Sequence, residues 1–437
     1  MDVSWLPSTE WPRIIYVCVG ISLAFAAVTR SLRALRWLPL LVLVVALNEG
    51  RVSVGTGTPV WQEFFPKLFQ GILNLSWQDA LMLVVGAALI YLGVAKQVEP
   101  LLLVPIGFGA ILVNLPLTGL MGEEGLLRQF YEAGIATEIF PCLIFIGVGA
   151  MTDFAPLLQN PRVLLLGGAG LFGILLTLLL ALALGFKQLE AVCVGIIGAC
   201  DGPTAIYVTT QYAPHLLGPI AVAAYSYMSL VPIIQPPLMR ALTTKAERKR
   251  VMPPSIYARP VSRAVKVIFP LVVLVVTVLI APMGAPLMGM LMLGNFLKEC
   301  GVVERLSKAA ENEITNIVTL LLGITIGATM DGEVLLRLHT LAIFGLGFLA
   351  IVGDTVAGVL LAKFMNLFSR EKLNPLIGAA GISAFPMAAR VVHRVGAQAN
   401  PQTYLLMHAI GVNTGGQLGS VLAASIMLAL LHAMGLA

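Results

Sequence analysis

The sequence predicts an all-α, polytopic membrane protein built from two inverted repeats of transmembrane helices, some of them broken or re-entrant. Three observations carry this reading. The first is composition. Of 437 residues, 58% are hydrophobic and 11% charged, with a mean hydropathy of +0.92, whereas a soluble domain carries about 25% charged residues. A chain this apolar cannot cover itself with polar surface and belongs in a bilayer. The second is that, from Glu99 onward, the apolar segments are repeatedly cut by Gly and Pro. The third is an internal repeat. Gly149-Ala-Met-Thr-Asp153 matches Gly327-Ala-Thr-Met-Asp331, and Gly198-Ala-Cys-Asp-Gly-Pro203 aligns with Gly381-Ile-Ser-Ala-Phe-Pro386, in the same order and at nearly the same offset. Paired interrupted segments in two halves mark transporter folds in which half-helix ends meet near the bilayer midplane. Inversion follows if each half crosses an odd number of times; we count about five segments in each.

Residues 1–79 read as an N-terminal hairpin and an interfacial extension. Apolar runs at 14–28 and 37–47 flank Arg30, Arg33 and Arg36, and an aromatic-rich stretch carries Trp61, Phe64, Phe65, Phe69 and Trp77. The basic turn belongs in the cytoplasm by the positive-inside rule, and no cleavable signal stands out. Residues 80–240 form the first transmembrane repeat with its preceding span. Residues 241–266 form a cytoplasmic loop rich in Lys and Arg, with Glu247 its one acid. Residues 267–437 form the second repeat, whose last segment, 404–431, is expected to be interrupted at Gly415-Gly416. The net charge of +5 is scattered over short loops, which argues against a nucleic-acid partner. The five cysteines contain no C-x-x-C and read as reduced, buried thiols rather than metal ligands.

The chain is organised around Gly195–Thr210, where Asp201-Gly202-Pro203 interrupts an apolar segment. A carboxylate at membrane depth is costly and marks an ion or proton site. Gly and Pro beside it break the helix ladder and free carbonyls for a cation. Asp201 therefore either binds Na⁺ when ionised and a proton when neutral, or caps the helix that follows Pro203. Its repeat partner, residues 374–390, offers Asn374 and Ser383, neutral oxygens suited to a hard cation or equally to capping and interhelix bonding. Gly378 and Gly381 permit close backbone approach or ordinary small-residue packing. Arg390 either receives a carboxylate from the cytoplasmic side or anchors its helix at the interface. Tyr227, Gln235 and Asn413 each supply an oxygen or hold the site. Asp153 and Asp331 read as interfacial caps, and Asp354 is a mid-span acid without an assigned role.

These residues carry a resemblance. From about Leu81 onward the chain resembles the β subunit of the sodium-ion-translocating biotin-dependent decarboxylases, which serve oxaloacetate, methylmalonyl-CoA, glutaconyl-CoA and malonate. The matching stretches are EPLLLVPIGFGAILVNLP, GACDGPTAIYVTTQYAPHLLGPIAVAAYSYMSLVPIIQPPLMRALTT and NPLIGAAGISAFPMAARV. The resemblance implies a membrane enzyme, a carboxybiotin decarboxylase, that takes CO₂ from carboxybiotin on a separate carrier protein. CO₂ release would be coupled to Na⁺ export, and a proton would be consumed. By motif it places the family's functional residues on Asp201, Tyr227, Asn374, Gly378, Ser383, Arg390 and Asn413, with Asp201 and Arg390 in the chemistry and Na⁺ at Asp201, Asn374 and Ser383. It also implies carboxyltransferase and biotin-carrier partners, a small membrane subunit, a homotrimer of this subunit, and the bacterial inner membrane. Two departures stand out. The late motif reads Gly411-Val-Asn-Thr-Gly-Gly416 without the family's proline. The N-terminal region is longer than in the usual oxaloacetate-type subunit and hints at another branch, such as the malonate one. The competing reading is a secondary Na⁺/H⁺ or carboxylate transporter without chemistry, which the ion-site evidence alone fits equally well.

Overall fold

The computed structural model describes residues 70–97, 99–252, 260–332, 337–369 and 371–435. The hairpin expected at 14–47 and the aromatic stretch up to Phe69 lie outside the described residues. The chain divides into a small unit, Met1–Ala80 with Leu115–Thr118, and a large one, Leu81–Asn114 with Gly119–Ala437. Of the small unit, the described part includes the short helix Gln70–Leu73. The candidate site lies wholly within the large unit.

Among the described residues all regular structure is helical. The first half runs α1 (Trp77–Lys96), α2 (Pro100–Val113), α3 (Leu126–Phe130, continuing as a π turn over Tyr131–Ile135) and α4 (Ile139–Met151). It goes on through α5 (Val163–Gly168), α6 (Leu171–Ala183), α7 (Gln188–Gly195, continuing as a 3₁₀ turn over Ile196–Ala199), α8 (Gly202–Tyr212) and α9 (Leu217–Leu242). The second half runs α10 (Arg263–Ile280), α11 (Ala285–Cys300), α12 (Glu304–Ala309, continuing as a π turn over Ala310–Ile314) and α13 (Thr315–Ala328). It closes with α14 (Leu338–Phe368), a 3₁₀ turn over Pro375–Gly381, α15 (Met387–Ala399) and α16 (Leu406–Ala433).

The order of elements recurs. Each half has a helix that enters a π turn, then a long helical stretch (α5 with α6, or α14), then a 3₁₀ turn, a short helix (α8 or α15) and a long last helix (α9 or α16). The packing is exchanged between the halves: α2 lies on α13 and α4 on α11, while α9 lies on α14 and α5 on α16. A two-fold relation between repeats produces such an exchange.

Small residues make these crossings close. A Cβ on Gly109 of α2 would sit 2.1 Å from the Ile324 carbonyl oxygen, and one on Gly327 of α13 would sit 2.1 Å from that of Ile106. The α4–α11 crossing repeats the pattern, with Gly149 facing Leu291 and Gly294 facing Ile146. Gly149 and Gly327 belong to the repeated Gly-Ala-x-x-Asp motif, so the motif is a packing device that lets backbones touch.

Five described helices are long and apolar enough to cross a membrane, or up to seven if each of two bent helix pairs is one span. Their outer faces are apolar: on α10, Leu279 is 79% and Ile280 63% exposed. Apolar side chains left outward in this number require a hydrocarbon solvent. The last segment departs from its expectation. It does not break at Gly415-Gly416 but forms one 28-residue helix, α16. The glycines serve approach instead: a Cβ on Gly416 would lie 2.1 Å from the Gly381 carbonyl oxygen.

Candidate cation site at two facing helix breaks

The first break is built by three residue choices. The 3₁₀ turn ends at Cys200, in the left-handed region at φ 51°. Asp201 is extended at φ −123°, and Pro203 fixes the first turn of α8. Proline at that position costs no hydrogen bond, because the first amides of a helix have no intrahelical acceptor. The result is a short gap between two helix ends, with Asp201 in it.

Asp201 is buried. Its Oδ2 accepts from Thr204 Oγ1 at 2.7 Å, Gln417 Nε2 at 3.2 Å and Ser420 Oγ at 3.2 Å. Two of the three donors come from α16, the last helix of the other half. The carboxylate thus joins the repeats.

The second break faces the first. After the 3₁₀ turn the chain is extended at Ile382, passes a cis Phe385–Pro386 bond and enters α15. The Ser383 amide donates to the Ala199 carbonyl at 3.2 Å, and Ser383 Oγ donates to the Gly416 carbonyl at 3.1 Å. Asn413 Nδ2 donates to the Ile382 carbonyl at 2.6 Å. Gln235 Nε2 reaches the Ala379 carbonyl at 2.8 Å and Thr355 Oγ1 at 3.3 Å. Side chains from both last helices therefore hold the second break.

Two buried oxygens here have no hydrogen-bond donor among the described residues: Asn413 Oδ1 and Gln235 Oε1. A buried acceptor without a donor is costly, and a cation satisfies it as a donor would. An acid with neutral amide, hydroxyl and carbonyl oxygens is the chemistry that hard cations select. Among the described residues no cluster of three His, Cys, Asp or Glu side chains exists for a transition metal.

None of the other expected site residues is among the hydrogen-bond donors to Asp201, which are Thr204, Gln417 and Ser420. Asn374 stands at the start of the seven-residue 3₁₀ turn, a run of about 14 Å. Its Oδ1 accepts from the Leu376 amide at 3.2 Å, and its Nδ2 donates to the carbonyls of Arg248 at 3.1 Å and Arg250 at 2.9 Å. Gly378 packs on α14, where a Cβ would lie 2.0 Å from the Gly358 carbonyl oxygen. Tyr227 donates to the Phe344 carbonyl. Arg390, in the first turn of α15, is exposed. Glu99 feels it: burial raises the Glu99 carboxyl above its ordinary value, and the Arg390 guanidinium draws it partly back. Asp153 Oδ1 accepts from the Ala155 amide at 2.9 Å, as a turn cap does. Thr204, Gln417 and Ser420 were not anticipated. The i, i+3 spacing of Gln417 and Ser420, one face of a helix, was their only sequence signal.

Asp354 lies behind the first break. Its Oδ1 accepts from the Gly173 amide at 2.5 Å, while its Oδ2 has no partner among the described residues. Gly173 in turn faces Gly198, where a Cβ would meet the Gly173 carbonyl carbon at 2.5 Å.

Comparison with known proteins adds to this geometry. Residues 78–431 match the family model described as the Na⁺-transporting oxaloacetate decarboxylase beta subunit. The methylmalonyl-CoA decarboxylase subunit beta of Propionigenium modestum is 51% identical, over 82% of this chain and 96% of its own. The glutaconyl-CoA decarboxylase subunit beta of Acidaminococcus fermentans is 51% identical, over 82% of this chain and 95% of its own. The oxaloacetate decarboxylase beta chain of Klebsiella pneumoniae is 46% identical, over 83% of this chain and 98% of its own.

Proposed function

The chain belongs to the family of Na⁺-transporting oxaloacetate decarboxylase beta subunits, and from that premise we propose that it decarboxylates carboxybiotin and couples CO₂ release to Na⁺ export. The supporting observation is the meeting of the two breaks around Asp201, with unpartnered oxygens at Asn413 and Gln235. A transporter without chemistry would need the same ion site, but the relatives are decarboxylase subunits, and that reading is not favoured.

Carboxybiotin is an anion that keeps its CO₂ until the ureido nitrogen gains a proton. In the proposed sequence, Na⁺ takes the place of the proton on Asp201. That proton goes to the ureido nitrogen, the N–C bond breaks, and its electron pair stays on nitrogen as CO₂ leaves. A carboxylate that alternates between proton and cation is the coupling element. Exposed Arg390 receives the carboxylate of the incoming substrate, as a guanidinium does in bidentate fashion. Ser383 and Asn413, at the second break, furnish neutral oxygens for the cation; Asn374, Gly378 and Tyr227 support the second break and its neighbours.

The beta subunit works within a multi-subunit decarboxylase. The partners we propose are a biotin carrier protein, a carboxyltransferase subunit and a small membrane subunit, around a homotrimer of this chain in the bacterial inner membrane. The deciding experiment is CO₂ release from free carboxybiotin by the purified protein, with and without Na⁺. Na⁺-stimulated release is expected; Na⁺/H⁺ exchange without any CO₂ release would overturn the assignment.

A further inference from the structure

One arrangement of charge has no part in that reaction. A cavity of about 410 Å³ is lined by Arg240, Lys245, Arg248 and Lys249 together with Val395 and Gln398. It stands where the end of α9, the short helix Lys245–Arg248 and the end of α15 come together. The lining includes no acid. Glu247, the one acid of this stretch, is engaged elsewhere: it accepts from the Thr244 amide at 2.7 Å and pairs with Lys363 at 3.2 Å.

The two guanidiniums are fixed in place. Arg248 Nη1 donates to the Arg240 carbonyl at 3.0 Å and Thr243 Oγ1 at 3.1 Å. Arg240 Nη2 donates to Gln398 Oε1 at 2.8 Å. Lys245 and Lys249 are exposed. Four like charges around one hollow repel one another, and an anion relieves the repulsion.

The helix that ends here indicates which anion. On α9, Ile233 is 62% exposed, and Pro237 and Arg240 are exposed as well. Positions 233, 237 and 240 share one helical face, so an outward apolar stripe leads straight to the cations. A ligand that follows this path is apolar along its length and anionic at its head. The positive-inside rule sets the loop in the cytoplasm, beside a leaflet that carries anionic lipid.

We propose that this cavity binds the phosphate headgroup of an anionic membrane phospholipid, whose acyl chains follow the Ile233–Pro237 face. Its occupancy bears on the second break. Asn374 Nδ2 holds the carbonyls of Arg248 and Arg250, and Arg250 Nη1 donates to the Leu373 carbonyl at 2.7 Å. The segment that a headgroup neutralises is therefore bonded to the start of the 3₁₀ turn.

The test uses delipidated, purified full-length protein and the double variant Lys245→Gln/Lys249→Gln. Both lysines are exposed, and the unfolding midpoint without lipid reports whether the variant folds. Native mass spectrometry counts retained phosphatidylglycerol, phosphatidylcholine and inorganic phosphate separately. The expected result is retention of phosphatidylglycerol over phosphatidylcholine, reduced at least threefold in the double variant and restored in Lys245→Arg/Lys249→Arg. Equal retention of the two lipids, or equal retention by wild type and Gln variant, would overturn the proposal. So would inorganic phosphate matching phosphatidylglycerol, which would mark a free-anion site. Loss of carrier-protein binding in the Gln variant with lipid retention unchanged would mark a protein-docking face instead, and also overturn it.

Discussion

The backbone amide of Ser383 donates to the carbonyl of Ala199 at 3.2 Å, which ties the break of one repeat directly to the break of the other. Ala199 closes the first 3₁₀ turn and Ser383 lies two residues past the end of the second, so each has a backbone group to spare. The pair brings the buried acid Asp201 beside a backbone whose carbonyls are not all engaged in helix ladders.

The Ser383 hydroxyl tests this arrangement. Ser383→Ala removes its bond to the Gly416 carbonyl and one oxygen beside the proposed cation. The Na⁺ concentration for half-maximal decarboxylation should rise about fivefold, the equivalent of ~1 kcal/mol. Rate measurements against Na⁺ check this, and an unchanged half-maximal concentration would limit Ser383 to helix packing.

The repeated glycines test the fold. Gly149→Ala places a methyl 2.0 Å from the Leu291 carbonyl oxygen, whereas a Cβ on Gly345 has nothing within 4 Å. Overpacking of a tight crossing costs about 1–3 kcal/mol. Gly149→Ala should therefore lower the thermal unfolding midpoint in detergent, while Gly345→Ala leaves it unchanged or slightly higher.

Much of this is legible in the sequence. A carboxylate followed by Gly and Pro in an apolar run marks Asp201, and the repeated motifs lead to the second break at Ser383. Sequence could not show which side chains close on Asp201 from a distance. Gln417 and Ser420 are ordinary polar residues of a long helix until α16 is packed against α8. The Gly415-Gly416 pair looked like a break and is an approach surface, because glycine permits both and only the partner helix decides. Asn374 reads from sequence equally as a cation ligand or a capping residue, and its amide holds the basic segment at Arg248 and Arg250.

Asp354 and Gly173 make a second pair whose tolerance to change should be uneven. A Cβ on Gly173 would lie 2.4 Å from the Asp354 carboxylate, so Gly173→Ala should cost about 1–3 kcal/mol. Asp354→Asn keeps the shape and an acceptor for the Gly173 amide, and should cost under about 1.5 kcal/mol. Unfolding of the two variants side by side checks the order; a larger loss for Asp354→Asn would show that its charge matters to the fold.

Glu247 gives a pH dependence outside the membrane. Burial pushes its carboxyl up, but the Thr244 amide and hydroxyl and the Lys363 ammonium outweigh this and hold it below its ordinary 4.5. A depressed carboxylate stabilises the fold fully above its unfolded value, and the contribution fades as pH falls through the folded value. Amide exchange over Lys245–Arg248 should stay protected down to about pH 4.5 and lose protection below it. Glu247→Gln should remove the pH dependence, and loss of protection beginning near neutral pH would contradict this origin.

Equilibrium binding of radioactive sodium to the purified protein measures the proposed ion site without recourse to turnover. Wild-type protein should bind saturably, in competition with protons, and Asp201→Asn should fold, judged by its unfolding midpoint, yet bind at least tenfold more weakly. Binding by Asp201→Asn with unchanged affinity would contradict the account at its centre.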